Sequence, residues 1–159
     1  MREDVNPPPA PPSGRFDGPL HLFPVRIYFE DTDLSGVVYH ANYLRYMERA
    51  RSDMLRLAGI DQRRAQEAGE GAWAVTDLAI RYRAPARLDD ALIVESQMRA
   101  VRGASVEIAQ IIRRDDMILT EGAITAAFVS PDGRARRQPA GWADRFRAIM
   151  TAKTESDGA

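Results

Sequence analysis

Two aspartates, a glycine and a histidine stand close together in residues 28–43, and their types and spacing predict chemistry on a carbonyl or phosphoryl group. Asp31 and Asp33 lie two residues apart at the end of an alternating apolar segment. Gly36 permits a backbone conformation that other residues resist, and His40 stands where a helix has to be capped. A strand-to-helix turn leaves amide hydrogens unpaired, and such donors stabilise a developing negative charge.

The sequence on either side of this segment predicts the elements that hold it. Apolar and polar residues alternate from Val25 to Glu30, which is the period of a half-buried strand. From Tyr43 to Ala58 the apolar residues instead fall on one helical stripe, interrupted by Arg51, and Gly59 follows as a cap. An apolar stripe of this length needs a sheet to cover it.

The rest of the chain predicts strands rather than further long helices. Four strands are expected, at residues 73–83, 92–101, 105–113 and 118–129. Short turns between the later strands favour hairpins and therefore antiparallel pairing. A closing helix is expected over residues 139–150, with Trp142 and Phe146 one turn apart as anchors. The pattern alone predicts an α+β domain.

Composition limits the classes of function. A chain of 159 residues fits one domain with a substantial core. The 22 basic and 23 acidic residues nearly cancel, which argues against a nucleic-acid partner. Cysteine is absent, which excludes disulfides and thiolate nucleophiles, and two histidines at positions 21 and 40 do not make a metal-ligand cluster. We expect no metal and no cofactor.

Both ends of the chain are expected to lie outside the domain. Prolines dominate residues 7–12 and deny the backbone hydrogen-bond donors. Residues 1–20 are therefore predicted to be a disordered Pro-rich arm, residues 21–150 the domain, and residues 151–159 a flexible tail. No apolar run suits a signal peptide or an integral membrane segment, so a cytoplasmic location is expected.

The segment from residue 28 onward resembles the motif of hotdog-fold acyl-CoA thioesterases of the 4-hydroxybenzoyl-CoA thioesterase type. That motif has an aromatic residue, an aspartate, Gly-x-Val and a histidine or aromatic residue before the central helix. The residues that match it are Tyr28, Asp33, Gly36, Val38 and His40. Matching stretches continue at residues 43–55, 82–90 and 102–105, and they are most similar to the bacterial thioesterases associated with the Tol-Pal envelope system.

The resemblance implies a fold, an activity and an assembly. The fold is a hotdog, in which a curved antiparallel five-stranded sheet wraps around a long central helix. The activity is hydrolysis of acyl-CoA, with a short-chain aliphatic acyl group expected, to a free acid and CoA. Similar domains pair their sheets edge to edge, so the resemblance implies a homodimer or homotetramer. Acyl-carrier protein is a further partner to consider.

The resemblance also implies roles for the residues around the turn. Asp33 matches the carboxylate that acts as general base or nucleophile, and His40 assists at the same end of the helix. The amides of Gly36, Val37 and Ala41 are the candidate oxyanion donors, because free N–H groups and the helix dipole favour negative charge. Plainer roles stay open, since Asp33 also suits a turn cap and His40 a packed or capping residue.

Arg102 and Ser105 match the segment that similar enzymes place near coenzyme A. A guanidinium group binds phosphate bidentately, which suits Arg102 to this role. The alternative is that Arg102 is only an exposed charge at a hairpin corner.

Two other functions fit part of the sequence. A non-catalytic hotdog module that binds acyl-CoA or acyl-carrier protein would keep the fold but would not need a carboxylate at Asp33. The run from Asp31 to Asp33 also imitates the nucleophile of haloacid-dehalogenase-type phosphatases. The alternating first strand and the lack of later βαβ repeats oppose that second function.

Overall fold

A computed structural model describes residues 6–154, so residues 1–5 of the predicted arm and 155–159 of the predicted tail lie outside the described residues. The described elements, in chain order, are β1 (Arg15–Asp17), β2 (Leu20–Arg26), a 3-10 turn (Phe29–Asp31), α1 (His40–Leu57), α2 (Gln62–Glu67), β3 (Ala72–Tyr82), β4 (Ala91–Val101), β5 (Ser105–Arg114), β6 (Met117–Val129) and α3 (Trp142–Met150).

All described strands join one sheet in the order β1-β2-β4-β5-β6-β3, and each neighbouring pair is antiparallel. Buried positions alternate regularly along β4 and β5, so one face of the sheet covers the core. Bulges interrupt the pairing of β3 and of β4 with their neighbours, and bulges bend a sheet. The sheet packs against α1, which gives the predicted α+β hotdog architecture.

Helix α1 buries one apolar stripe against this sheet. Tyr43, Met47, Ala50 and Met54 recur at helical spacing and are each at most 3% exposed. Arg51 interrupts the stripe as predicted, and it is held there by the side chain of Gln110, which accepts a hydrogen bond from Arg51 at 2.8 Å.

The predicted closing helix is present as α3. Trp142 and Phe146 are both buried in a second apolar cluster. Their rings pack against Trp73, with ring centroids 6.3 and 6.0 Å away. This cluster closes the core at the end of α1 that lies away from His40.

Several boundaries differ from the sequence predictions. The first long strand, β2, ends at Arg26, and the chain enters the 3-10 turn with the side chain of Phe29 82% exposed, so the alternation up to Glu30 does not continue as a strand. Helix α1 begins at His40 rather than Tyr43. The short helix α2 was not predicted; its N-cap, Asp61, accepts the Arg64 amide at 3.0 Å.

The sheet also has six strands where five were predicted. The additional strand, β1, lies inside residues 1–20, where a disordered arm was expected. Its three residues pair with β2, and the ring of Phe16 lies edge-on to that of His21 at 5.4 Å. The domain therefore includes residues that the proline content had assigned to the arm.

A buried carboxylate ties the segment before β1 to α1. Asp53 is 4% exposed and accepts hydrogen bonds from four groups. Its donors are Ser13 Oγ at 2.9 Å, the Gly14 amide at 2.9 Å, His21 Nε2 at 2.8 Å and the Arg56 guanidinium at 2.7 Å. Burial lowers the pKa of His21. Burial alone would raise the pKa of Asp53, but these hydrogen bonds outweigh it and lower that pKa. A neutral imidazole therefore donates to a charged carboxylate.

Candidate functional site

The loop between the 3-10 turn and α1 carries Asp33 at its tip. The Asp33 amide donates to Val37 O at 2.9 Å, and the Gly36 amide donates back to Asp33 O at 3.0 Å. Gly36 has a φ of +80°, which L side chains rarely adopt. A side chain there would meet no atom within 4 Å, so the turn requires glycine for its backbone conformation and not for space.

The Asp33 carboxylate is exposed and is held by donors of its own turn. Its Oδ1 accepts hydrogen bonds from the Ser35 amide at 2.8 Å and from Ser35 Oγ at 2.5 Å. The two Ser35 hydrogen bonds are the main reason that the pKa of Asp33 lies below its usual range, and the charge of His40 contributes to the same direction. The Val37 amide also donates to this carboxylate and lowers its pKa further. Asp33 is therefore an ionised carboxylate.

His40 is the first residue of α1 and its side chain is exposed. Its ring centroid lies 4.4 Å from that of Tyr39 and 6.4 Å from that of Tyr82. Tyr82 Oη also donates to the His40 carbonyl oxygen at 2.8 Å. The start of α1 is thus fixed to the end of β3, with His40 near enough to Asp33 for its charge to lower the pKa of that carboxyl group.

The predicted oxyanion donors divide into two groups. The Gly36 amide is not available, because it donates to Asp33 O inside the turn; this prediction is wrong. The Val37 amide is also engaged, because it donates to the Asp33 carboxylate and helps to lower the pKa of that group. Within residues 6–154, the amides of His40 and Ala41, at the point where the sequence predicted donors, have no acceptor. The free amides at the first turn of α1 are the ones that can hold a negative oxygen.

Arg102 and Ser105 lie at the other end of the sheet from Asp33. Strand β4 begins near the site, where the Ile27 amide donates to Asp90 O at 3.0 Å, and it ends at Val101. At about 3.3 Å per residue, this strand covers about 33 Å. The two residues close the β4–β5 hairpin, with the Arg102 amide donating to Ser105 O at 2.8 Å. One protomer does not bring them to Asp33.

The hairpin holds an additional basic residue that the sequence prediction missed. The Arg102 guanidinium is paired with Glu107 at 2.8 Å, so its charge is partly neutralised. Arg137 Nε lies 4.0 Å from the position that a Cβ on Gly103 would take. The signal in the sequence was the group of three arginines at positions 134, 136 and 137, but only the fold shows that Arg137 lies beside the hairpin.

Strand β3 forms one edge of the described sheet and pairs only with β6 there. Val75 and Leu78 on this strand are 48% and 40% exposed. Together with Leu44, Arg45 and Glu48 of α1 they line a surface groove. This edge is both apolar and unpaired, which is unusual for a strand that stays at a solvent-facing edge.

Comparison with known proteins identifies the family of this fold and site. A family model of the thioesterase superfamily matches residues 35–121, which include α1 and strands β3 to β5. The chain belongs to the thioesterase superfamily. Membership makes the chain an enzyme of the thioester hydrolase class. The matched region begins two residues after Asp33.

Two curated proteins with thioesterase names are similar in sequence to this chain. The acyl-CoA thioesterase YbgC of Haemophilus influenzae is 43% identical over 107 residues, which cover 67% of this chain and 79% of that protein. The acyl-CoA thioester hydrolase YbgC of Escherichia coli is 41% identical over 113 residues, covering 70% of this chain and 84% of that protein.

Solved structures of the superfamily share the fold. A probable thioesterase from Bartonella henselae superposes with a TM-score of 0.72 at 33% identity, over 76% of this chain and 99% of that chain. A 4-hydroxybenzoyl-CoA thioesterase, solved with 4-hydroxybenzoyl-CoA, superposes with a TM-score of 0.73 at 21% identity, over 80% of this chain and 98% of that chain. The second likeness shows the fold alone. No helix within residues 6–154 has the length and apolar character that a membrane crossing needs.

Proposed function

We propose that this thioesterase hydrolyses acyl-CoA to a carboxylic acid and free CoA, with the Asp33 carboxylate as general base or nucleophile. The observation that carries the proposal is the ionised, exposed carboxylate of Asp33 beside the free amides at the start of α1. The acyl-CoA substrate class is supported by the curated relatives, whose names state that activity.

The reaction needs a base to activate the attacking group and a hydrogen-bond donor to hold the carbonyl oxygen of the thioester. Acting as a base, a carboxylate oxygen of Asp33 takes a proton from water, whose oxygen attacks the thioester carbonyl carbon. The carbonyl oxygen becomes anionic and is held by the Ala41 amide, with His40 assisting. When the C–S bond breaks, the proton passes to the thiolate of CoA.

Acting as a nucleophile, the same oxygen attacks the carbonyl carbon directly. The C–S bond then breaks, CoA leaves, and water hydrolyses the resulting anhydride. Both routes give the same products and need the same carboxylate.

We also propose a homodimer formed through the open edges of β3, and a tetramer is the larger assembly consistent with it. The Ala72 end of β3 lies near the Arg102–Ser105 hairpin, because Ala72 pairs with Val129 and Ser105 pairs with Ala127. The other end, at Tyr82, contacts His40. Antiparallel pairing of two β3 strands would bring the hairpin of one subunit to the Asp33 turn of the other.

This assembly gives Arg102 and Ser105 a role that a single protomer does not. Arg102 and Ser105 of the partner subunit would hold the CoA part of a substrate whose thioester lies at Asp33. Arg137, which lies beside the same hairpin, would add a cation for the CoA phosphates. For the acyl group we propose a short aliphatic chain, on the resemblance to Tol-Pal-associated thioesterases, with acyl-carrier protein thioesters as a second form of substrate.

The test is release of the CoA thiol from a panel of acyl-CoA esters of increasing chain length, with an acyl-carrier protein thioester included. Asp33→Asn keeps the shape of the side chain and removes its basicity. We expect turnover to fall by about 100- to 10,000-fold, which is the range for a lost general base. Asp116→Asn, in the exposed β5–β6 turn, is the matched control and should keep full activity.

Two results would contradict the proposal. If Asp33→Asn turned over as fast as the native protein, the carboxylate would not be the catalytic group. If neither protein turned over any ester while both bound CoA, the chain would be a binding module with this fold.

A further inference from the structure

Asn42 links the loop that carries Asp33 to helix α1. Its side chain is buried, at 7% exposure, and its Nδ2 donates to the carbonyl oxygen of Asp31 at 2.9 Å. The same oxygen accepts the Tyr39 amide at 3.0 Å. One carbonyl oxygen therefore joins the two limbs of the loop to each other and to the helix.

The next residue, Tyr43, supports the far limb of the loop. Tyr43 Oη accepts the Ala86 amide at 2.9 Å, and the Ala86 carbonyl accepts the Val38 amide at 2.9 Å. Tyr43, Ala86 and Val38 are all buried, at 3%, 0% and 3% exposure. This second chain of contacts fixes the loop where it re-enters the protein.

These supports determine where the Asp33 carboxylate lies. Asp33 is exposed, and its side chain accepts hydrogen bonds from Ser35 and from the Val37 amide, which belong to the same turn. Its position relative to α1 is thus set by the two limbs of the loop, and both limbs end on consecutive residues of α1. The helix also supplies the free amide of Ala41, one residue before Asn42.

We propose that Asn42 is a positioning residue that sets the distance between the Asp33 carboxylate and the free amides at the start of α1, with Tyr43 as the second support. The inference rests on the proposed function, because it takes Asp33 as the group that activates water or attacks the thioester. Asn42 itself is buried beneath the loop and does not touch the reacting atoms. Misplacing a catalytic group by about 1 Å costs about a hundredfold in rate.

The test is Asn42→Leu, which keeps the side-chain size and removes the amide donor. We expect kcat for acyl-CoA to fall about ten- to a hundredfold while KM changes less than about twofold, since the CoA contacts lie elsewhere. Ser96→Ala is the matched control. Ser96 is fully buried and loses one side-chain hydrogen bond, from Gln110 Nε2 at 2.9 Å, but it belongs to β4 and that bond joins it to β5.

A readout that does not depend on activity is the carboxyl pKa of Asp33, measured by carbon-13 NMR titration. In Asn42→Leu this pKa should rise, because a displaced turn moves the carboxylate away from the charge of His40, which lowers the pKa in the native protein. In Ser96→Ala it should stay where it is in the native protein. Asn42→Gln, which keeps an amide donor on a longer side chain, should recover part of kcat.

Each outcome decides the inference. An unchanged kcat in Asn42→Leu, or an equal loss in Ser96→Ala, would overturn it and leave the proposed function intact. If the native protein hydrolysed no acyl-CoA, the proposed function would fail, and the Asp33 titration alone would decide the positioning role. If Asn42→Leu did not fold, Asn42→Asp, which also removes the donor at nearly the same size, would replace it in the same comparison.

Discussion

Ser35 donates two hydrogen bonds to one oxygen of Asp33, from its amide at 2.8 Å and from its hydroxyl at 2.5 Å. The pair is formed within a single turn, so it needs no contact with the rest of the protein. It is the main reason that the pKa of the carboxyl group is low. A carboxylate held in this way is charged throughout the neutral range.

The first prediction is a shift in the pH dependence of turnover. Ser35→Ala removes the hydroxyl donor, so the pKa of Asp33 should rise toward its ordinary value. A base must be deprotonated to act, so the acidic limb of the kcat/KM profile should move to higher pH, with little change at pH 8. Ser130→Ala is the control, since Ser130 makes a similar hydrogen bond to Asp132 in a remote turn. If the acidic limb did not move, a group other than Asp33 would be responsible for it.

The second prediction concerns the backbone at Gly36. Gly36→Ala should lower stability by about 1 kcal/mol, because an L residue at a φ of +80° is strained. It should also reduce turnover, since the turn that presents Asp33 must relax. Gly133→Ala is a close control, with a φ of +85° and no atom within 4 Å of an added Cβ. Urea denaturation should give similar losses for both variants, and equal turnover in the two would contradict a catalytic role for the turn.

Much of this site follows from local sequence. The stripe from Tyr43 to Ala58 predicts α1, and Gly36 predicts a turn, because both depend on neighbouring residues alone. The alternation up to Glu30 was a poorer guide, since β2 stops at Arg26 and the exposed Phe29 gains nothing from a strand position.

Features that depend on distant contacts were missed. Strand β1 has three residues, too few to show a period, and it exists because it pairs with β2 and lies against His21. The separation of Arg102 from Asp33 is a property of strand direction in the sheet, which no spacing along the chain encodes. Motif matching therefore found these residues but did not show that they lie at opposite ends of the sheet in one protomer.

The third prediction tests the assembly. Leu78→Arg places a charge on the exposed edge of β3, where a partner strand would have to bury it, and should weaken subunit association by at least about a hundredfold. Light scattering after size-exclusion chromatography should show a smaller species, and turnover should fall with it, because the partner's hairpin leaves the site. Met117→Arg, at an exposed position on β6, should change neither. A native protein that is a stable monomer with full activity would rule out the shared site.

The fourth prediction concerns the buried Asp53 carboxylate. Asp53→Asn removes the charge that accepts hydrogen bonds from Ser13, Gly14, His21 and Arg56, and it should lower the free energy of unfolding by about 2–3 kcal/mol. Asp144→Asn, an exposed substitution on α3, should have an effect within about 0.5 kcal/mol. Urea denaturation at pH 7 measures both. Equal free energies of unfolding for the two variants would show that the hydrogen bonds of Asp53 do not stabilise the domain.

The same network predicts how native stability changes with pH. The pKa of His21 is lowered in the folded state, so the unfolded chain takes up a proton first as the pH falls below about 6.5. The pKa of Asp53 is also lowered, so its contribution is present above about pH 3.9 and is lost below it. Stability should therefore fall between pH 7 and pH 5 through His21, and further near pH 4 through Asp53. His21→Gln should remove the first loss and keep the second, and a pH 7 to pH 5 slope that survived in His21→Gln would assign it to another group.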